Sequence, residues 1–134
     1  MNFNHYYGFD ISSELIDYCR EKHSSERSSF YISSKPNIPL DFALMSGTYN
    51  FFPSSSFAEW LDYFLTSLNA IWTQTKIAIG FNLQIARQRK ITNQGIVYSS
   101  EAEILSYCEQ YFGATTVIYD KNLPSDGTFL IRKI

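Results

Sequence analysis

Apolar and polar positions change in blocks along the chain. Residues 6–9 (YYGF) form a short apolar run that predicts a strand, and Asp10 follows it directly. Ser12 then stands where a helix cap would stand, before Leu15, Ile16 and Cys19 at helical spacing. The polar run SSERSS ends that helix, and residues 30–32 (FYI) predict a second strand. The segment SSKPNIP predicts a loop, because its two prolines cannot continue a strand ladder. Residues 42–45 (FALM) are continuously apolar, as a strand covered on both faces would be, and Gly47 breaks the run.

The strongest helical pattern follows. Ser56 and Glu59 have capping-box spacing, and Phe57, Trp60, Leu61, Phe64, Leu65, Leu68, Ile71 and Trp72 repeat as one broad apolar face. Residues 76–81 (KIAIGF) predict another buried strand, and residues 84–98 a long connection. Ser100 and Glu103 then predict a second capping box, opening a helix with Ile104, Leu105, Cys108, Tyr111 and Phe112. Gly113 is placed to close it in a left-handed conformation. Residues 115–119 and 128–132 flank the turn-rich NLPSDG with no helix between them, which predicts an antiparallel hairpin. The fold class expected is α/β. The sheet is a mostly parallel, doubly wound one with helices on both faces and a C-terminal antiparallel hairpin, in a single domain spanning residues 1–134. In such sheets ligands sit beyond the carboxyl ends of the strands, which is where Asp10 lies.

Composition narrows the picture. The 134 residues suffice for one domain. Hydrophobic residues make up 45% and charged residues only 18%, which points to an extra buried face such as an oligomer interface. A net charge of -2 gives no reason to expect nucleic-acid binding. No apolar run approaches the ~20 residues of a membrane span, and the N-terminal stretch lacks the form of a signal peptide, so a cytoplasmic protein is expected. Cys19 and Cys108 have no metal-ligand spacing and read as free thiols. His5 and His23 read as surface residues away from the expected cleft. In the long connection, Arg87, Arg89 and Lys90 either grip an anionic substrate or are simply solvated.

The order of elements and the residues GFDIS, DFALMS and SGTYN, with the Phe81–Asn82 pair after KIAIGF, resemble the class I, Rossmann-like S-adenosylmethionine-dependent methyltransferases. The match begins at that family's second strand. The resemblance implies that Asp10 holds the ribose hydroxyls of S-adenosylmethionine and that Ile11 lies against the adenine. Ser33 and Ser34 would stand where many members carry an acid for the adenine amino group. Ser46 and Gly47 would face the cofactor, and Tyr49, Asn50 and Asn82 a small-molecule or sugar acceptor. A carboxylate suits the first role because it accepts bonds from two vicinal hydroxyls at once. Beside these readings stand local ones: Asp10 as a cap near the helix start, Tyr49 packing, and Asn50 and Asn82 satisfying turn backbone.

The family's first strand and glycine-rich loop have no counterpart here, since the six glycines are scattered. The resemblance therefore implies a fold truncated at its N-terminus. Its open edges would be closed by direct pairing of the flanking strands, by a homodimer or other homo-oligomer, or by a partner supplying the first strand. The function expected is methyltransferase-like, inactive alone or dependent on that partner. The alternative is a non-enzymatic, self-associating or partner-binding module.

Overall fold

The structure, a computed structural model, describes residues 3–134. Met1 and Asn2, part of the stretch read for a targeting signal, lie outside the described residues. The chain divides into two compact units, residues 1–38 and 39–134, at the proline-containing loop.

The first unit is one β-α-β turn. Strand β1 (Tyr6–Asp10), helix α1 (Ser13–His23) and strand β2 (Ser28–Ile32) follow in order. β1 and β2 pair in parallel, Tyr6 opposite Ser28 through Asp10 opposite Ile32. The helix starts where Ser12 places its hydroxyl on the Leu15 N–H, as expected of an N-cap. Ile16 is its buried residue, and Arg20 reaches back so that its Nε and one terminal nitrogen donate to the Phe30 carbonyl. Among the described residues β1 pairs with β2 alone, leaving its other edge open.

The second unit holds a four-stranded sheet in the order β3-β4-β8-β7. Its strands are β3 (Leu40–Met45), β4 (Thr75–Gln84), β7 (Thr115–Asp120) and β8 (Leu123–Arg132), with helices α2 (Phe57–Gln74) and α3 (Glu101–Tyr111) between them. β3 and β4 run parallel, while β4–β8 and β8–β7 are antiparallel. The α/β class and the closing hairpin are as expected. The balance of directions is a correction: the hairpin sends β8 between β4 and β7, so this sheet holds one parallel pairing and two antiparallel ones. β8 also starts earlier than NLPSDG suggested. Pro124 is accommodated because the β7–β8 register shifts beside it, between Tyr119 and Asp120, where a missing N–H costs no regular ladder bond.

Helical spacing in α2 and strand alternation in β4 and β8 converge on one core. Trp60, Phe64, Leu68 and Ile71 of α2 and Ile104 and Cys108 of α3 meet Ile79, Phe81, Leu83, Phe129, Ile131, Ala43 and Met45. Phe81 and Phe129 stack across the β4–β8 ladder with centroids 5.3 Å apart, and Trp60 stacks on Phe64 at 5.0 Å. Burying one such side chain contributes about 1.5–3 kcal/mol. Both helices of this unit thus share one sheet face. On the opposite face Leu44 is 82% exposed, Phe42 51% and Ile118 48%.

The capping boxes differ. Ser56 accepts from the Glu59 N–H at 3.2 Å, the N-cap half of the expected box, while its own N–H donates to Ser54 Oγ at 3.1 Å in place of the Glu59 carboxylate. Ser100 occupies the N-cap of α3 but makes no side-chain cap bond. The connection after β4 contains a small hairpin, β5 (Lys90–Ile91) and β6 (Val97–Tyr98), turned at Gly95 with φ +82°. A side chain at Gly95 would sit 2.6 Å from the Phe51 ring as well as being strained.

Candidate functional site

In the first unit the expected cofactor residues gather at the carboxyl ends of β1 and β2. Asp10 closes β1. Its Oδ1 accepts from the Ser12 N–H at 2.8 Å, and its carbonyl accepts from the Ser33 N–H at 3.0 Å. The carboxylate thus closes a local turn just ahead of α1, while Ser12 itself caps the helix. Among the described residues nothing bonds to Oδ2, so half of the carboxylate is free for another donor. Ile11 follows with 76% exposure, an apolar side chain standing in solvent beside that acid. Ser33 spends its hydroxyl locally, donating to the Lys35 carbonyl at 2.6 Å. Ser34 is exposed. A hollow of about 620 Å³ lies elsewhere in this unit, beside Tyr6, Cys19, His23 and Arg27 at the other end of β1.

In the second unit the loop after β3 is built around Gly47, whose φ of +71° favours glycine. Asn82, at the carboxyl end of β4, accepts the Gly47 N–H on its Oδ1 at 2.7 Å. The same carboxamide donates through Nδ2 to Oδ2 of Asp126 at 3.1 Å. Asn50 accepts the Gln84 N–H on its Oδ1 at 3.2 Å and the Val97 N–H on its carbonyl. Asn50, in the loop after β3, and Asn82, near the carboxyl end of β4, thus both satisfy backbone. Ser46 and Gly47 are exposed.

Tyr49 is a correction. It is fully buried, its hydroxyl 3.0 Å from Ser67 Oγ, its ring edge-on to Phe64. Burial pushes its pKa up to about 12, with the Ser67 bond opposing. A side chain enclosed by α2 cannot touch an acceptor; it anchors the loop instead. The signal for this was the apolar face of α2, which needs a large partner at the loop. The basic run is also largely engaged. Arg89 pairs with Glu103 at 3.2 Å and covers the Phe57 ring, and Lys90 lies over the Tyr98 ring.

Beyond the β3 end, Phe51, Phe52, Ser54, Ser55, Thr92, Asn93 and Gln94 line a groove of about 460 Å³ with no charged side chain. The Phe52 N–H donates to the Gly95 carbonyl at 2.8 Å and holds its two walls together. Sequence reasoning missed this groove and Asp126 alike, because both depend on segments distant in the chain. Among the described residues no group of three or more His, Cys, Asp or Glu could hold a metal, and no helix is long and apolar enough to cross a membrane.

No family model and no curated protein matches the sequence. Solved structures do. The complex of DhpI with SAH superposes with a TM-score of 0.65 at 17% identity, covering 96% of this chain and 66% of that one. The magnesium protoporphyrin IX methyltransferase ChlM from Synechocystis PCC 6803, solved with bound SAM, superposes with a TM-score of 0.65 at 10% identity, covering 96% of this chain and 59% of that one. The fold is that of a class I methyltransferase. The 134 residues thus span less than two-thirds of the length of either chain, 66% and 59%. In this methyltransferase-like fold, Asp10, Gly47 and Asn82 all occupy carboxyl ends of parallel strands, where ligands bind in α/β sheets.

Proposed function

We propose that the chain is the donor- and acceptor-binding part of an S-adenosylmethionine-dependent methyltransferase-like protein. The single observation that carries this reading is Asp10 at the end of β1, with one carboxylate oxygen bonded to the Ser12 N–H and, among the described residues, the other unbonded. The residues present fit the adenosine half of the cofactor. Asp10 would take ribose hydroxyls, Ile11 would offer apolar surface to the adenine, and Ser33 and Ser34 would lie near the base. Ser46 and Gly47, in the second unit, are the further residues that the resemblance assigns to the cofactor. Bound there, the cofactor supplies an electrophilic methyl group, and transfer from a sulfonium proceeds largely through positioning.

The charged methionine tail calls for backbone donors of the kind a glycine-rich loop gives, and no such loop lies within these residues. Transfer by the 134 residues alone is therefore not expected, and the loop comes from outside them. The acceptor is a neutral small molecule or sugar, supported by the uncharged, aromatic- and amide-lined groove beyond β3. Cytoplasmic residence fits this chemistry.

The open edge of β3 and the bare face bearing Phe42, Leu44 and Ile118 favour a second copy of the chain as partner. Titration of the labelled chain with SAH, followed by amide NMR, tests the donor site. Shifts centred on Asp10, Ile11 and Gly47 are expected; shifts confined to the Tyr6–Arg27 hollow would overturn the assignment.

A further inference from the structure

Asp126 has an unusual place in the second unit. Its Oδ1 is buried and bonded to nothing among the described residues, while its Oδ2 accepts from Asn82. A buried acceptor without a donor costs stability, so its retention calls for a reason other than stability. Ladder geometry supplies one. Asn82 lies opposite Thr128, and Gln84 opposite Asp126, so Asn82 and Asp126 are diagonal neighbours on one sheet face. From there the carboxylate meets the amide end of Asn82, and the carbonyl end meets the Gly47 N–H. A backbone N–H can only donate and a carboxylate can only accept, so the Asn82 carboxamide has one orientation that satisfies both. Without Asp126 the amide would be free to turn, and the turned form would present NH2 to an N–H.

We propose that Asp126 is a positioning residue: by locking the Asn82 carboxamide it fixes Gly47, and with it the Ser46–Thr48 turn at the carboxyl end of β3. That this turn receives a methyl donor rests on the function proposed above; the locking itself does not. The bond from a neutral amide to a carboxylate is charge-assisted and stronger than a neutral pair. The hydroxyl and backbone groups of the turn are thereby held in place before any ligand arrives.

A swap of the two side chains tests the relay on the full chain by amide NMR, reading hydrogen exchange at Gly47 and SAH affinity together. Asn82→Asp keeps an acceptor for Gly47 but sets two carboxylates side by side. It should speed Gly47 exchange by about tenfold, the scale of one lost hydrogen bond. Asp126→Ala should do the same while the Trp60 and Phe81 signals stay folded. The double variant Asn82→Asp/Asp126→Asn restores a donor–acceptor pair with the roles reversed, so Gly47 protection should return. A merely structural role would give additive losses instead of this rescue. Unchanged Gly47 exchange in the single variants, or no rescue in the double one, overturns the proposal. If the rescue appears but the parent chain does not bind SAH, the relay stands and the methyltransferase reading falls.

Discussion

The indole N–H of Trp60 donates to the backbone carbonyl of Tyr49 over 2.9 Å inside the second unit's core. This bond fastens the loop after β3 to the first turns of α2, and the Tyr49 hydroxyl adds a second tie at Ser67. The loop that carries Ser46 and Gly47 is therefore clamped from the helix side, while Asn82 holds it from the sheet side. Replacing Tyr49 by Phe removes one buried hydrogen bond and should cost about 1 kcal/mol in urea unfolding. Tyr49→Ala should cost about 3–5 kcal/mol, the range for truncating a large aromatic in a core. A cost near zero for both would contradict the buried placement.

Stability should fall at high pH, with a defined sign. Burial raises Tyr49 from 10.0 to about 12 and Cys108 from 9.0 to about 12. In each case the folded chain holds its proton more tightly than the unfolded chain. The contribution is full below the unfolded values and is lost as pH rises from about 9 toward 12. Urea midpoints measured across that window should drop, and Tyr49→Phe should remove part of the drop while the Cys108 part remains. A flat profile in the parent protein would count against both placements.

The two thiols should differ in reactivity. Cys108 is fully buried in α3, whereas Cys19 is only partly covered in α1. Brief alkylation at neutral pH followed by mass mapping should label Cys19 first, and Cys108 only under unfolding conditions. Equal labelling in the native protein would mean that α3 is not packed as described.

Much of this arrangement was readable from local pattern. The caps at Ser12 and Ser56, the face of α2 and most strand positions follow from spacing within a few residues. What escaped the sequence depends on distant partners. Tyr49 looked like a site residue through the resemblance that SGTYN carries, with packing left open beside it, and the Trp60 and Ser67 contacts show it enclosed. Asp126 sat in a turn-rich stretch, yet it answers to Asn82, 44 positions earlier. Ser100 had the right spacing for a cap and the extended backbone of one, yet its hydroxyl makes no cap bond. The sharing of one sheet face by α2 and α3 is likewise a property of the assembled core, not of either segment.

Self-association should respond to the bare face of the second unit. Leu44→Glu adds charge where the side chain is 82% exposed, so folding should change by less than about 0.5 kcal/mol. Sedimentation velocity should nonetheless show a shift toward monomer. A parent chain already monomeric at high concentration would remove the second copy as occupant.

The most direct test of the central claim is calorimetric titration of SAH into the full chain beside its Asp10→Asn variant. Asn keeps an acceptor for the Ser12 N–H, so α1 and its stability should be preserved, while the charged acceptor for ribose is lost. The account expects measurable binding to the parent chain, weakened about tenfold or more in the variant, as loss of a hydrogen bond to a charged group implies. Absence of heat with the parent at millimolar SAH, or equal affinity in the two proteins, would contradict it.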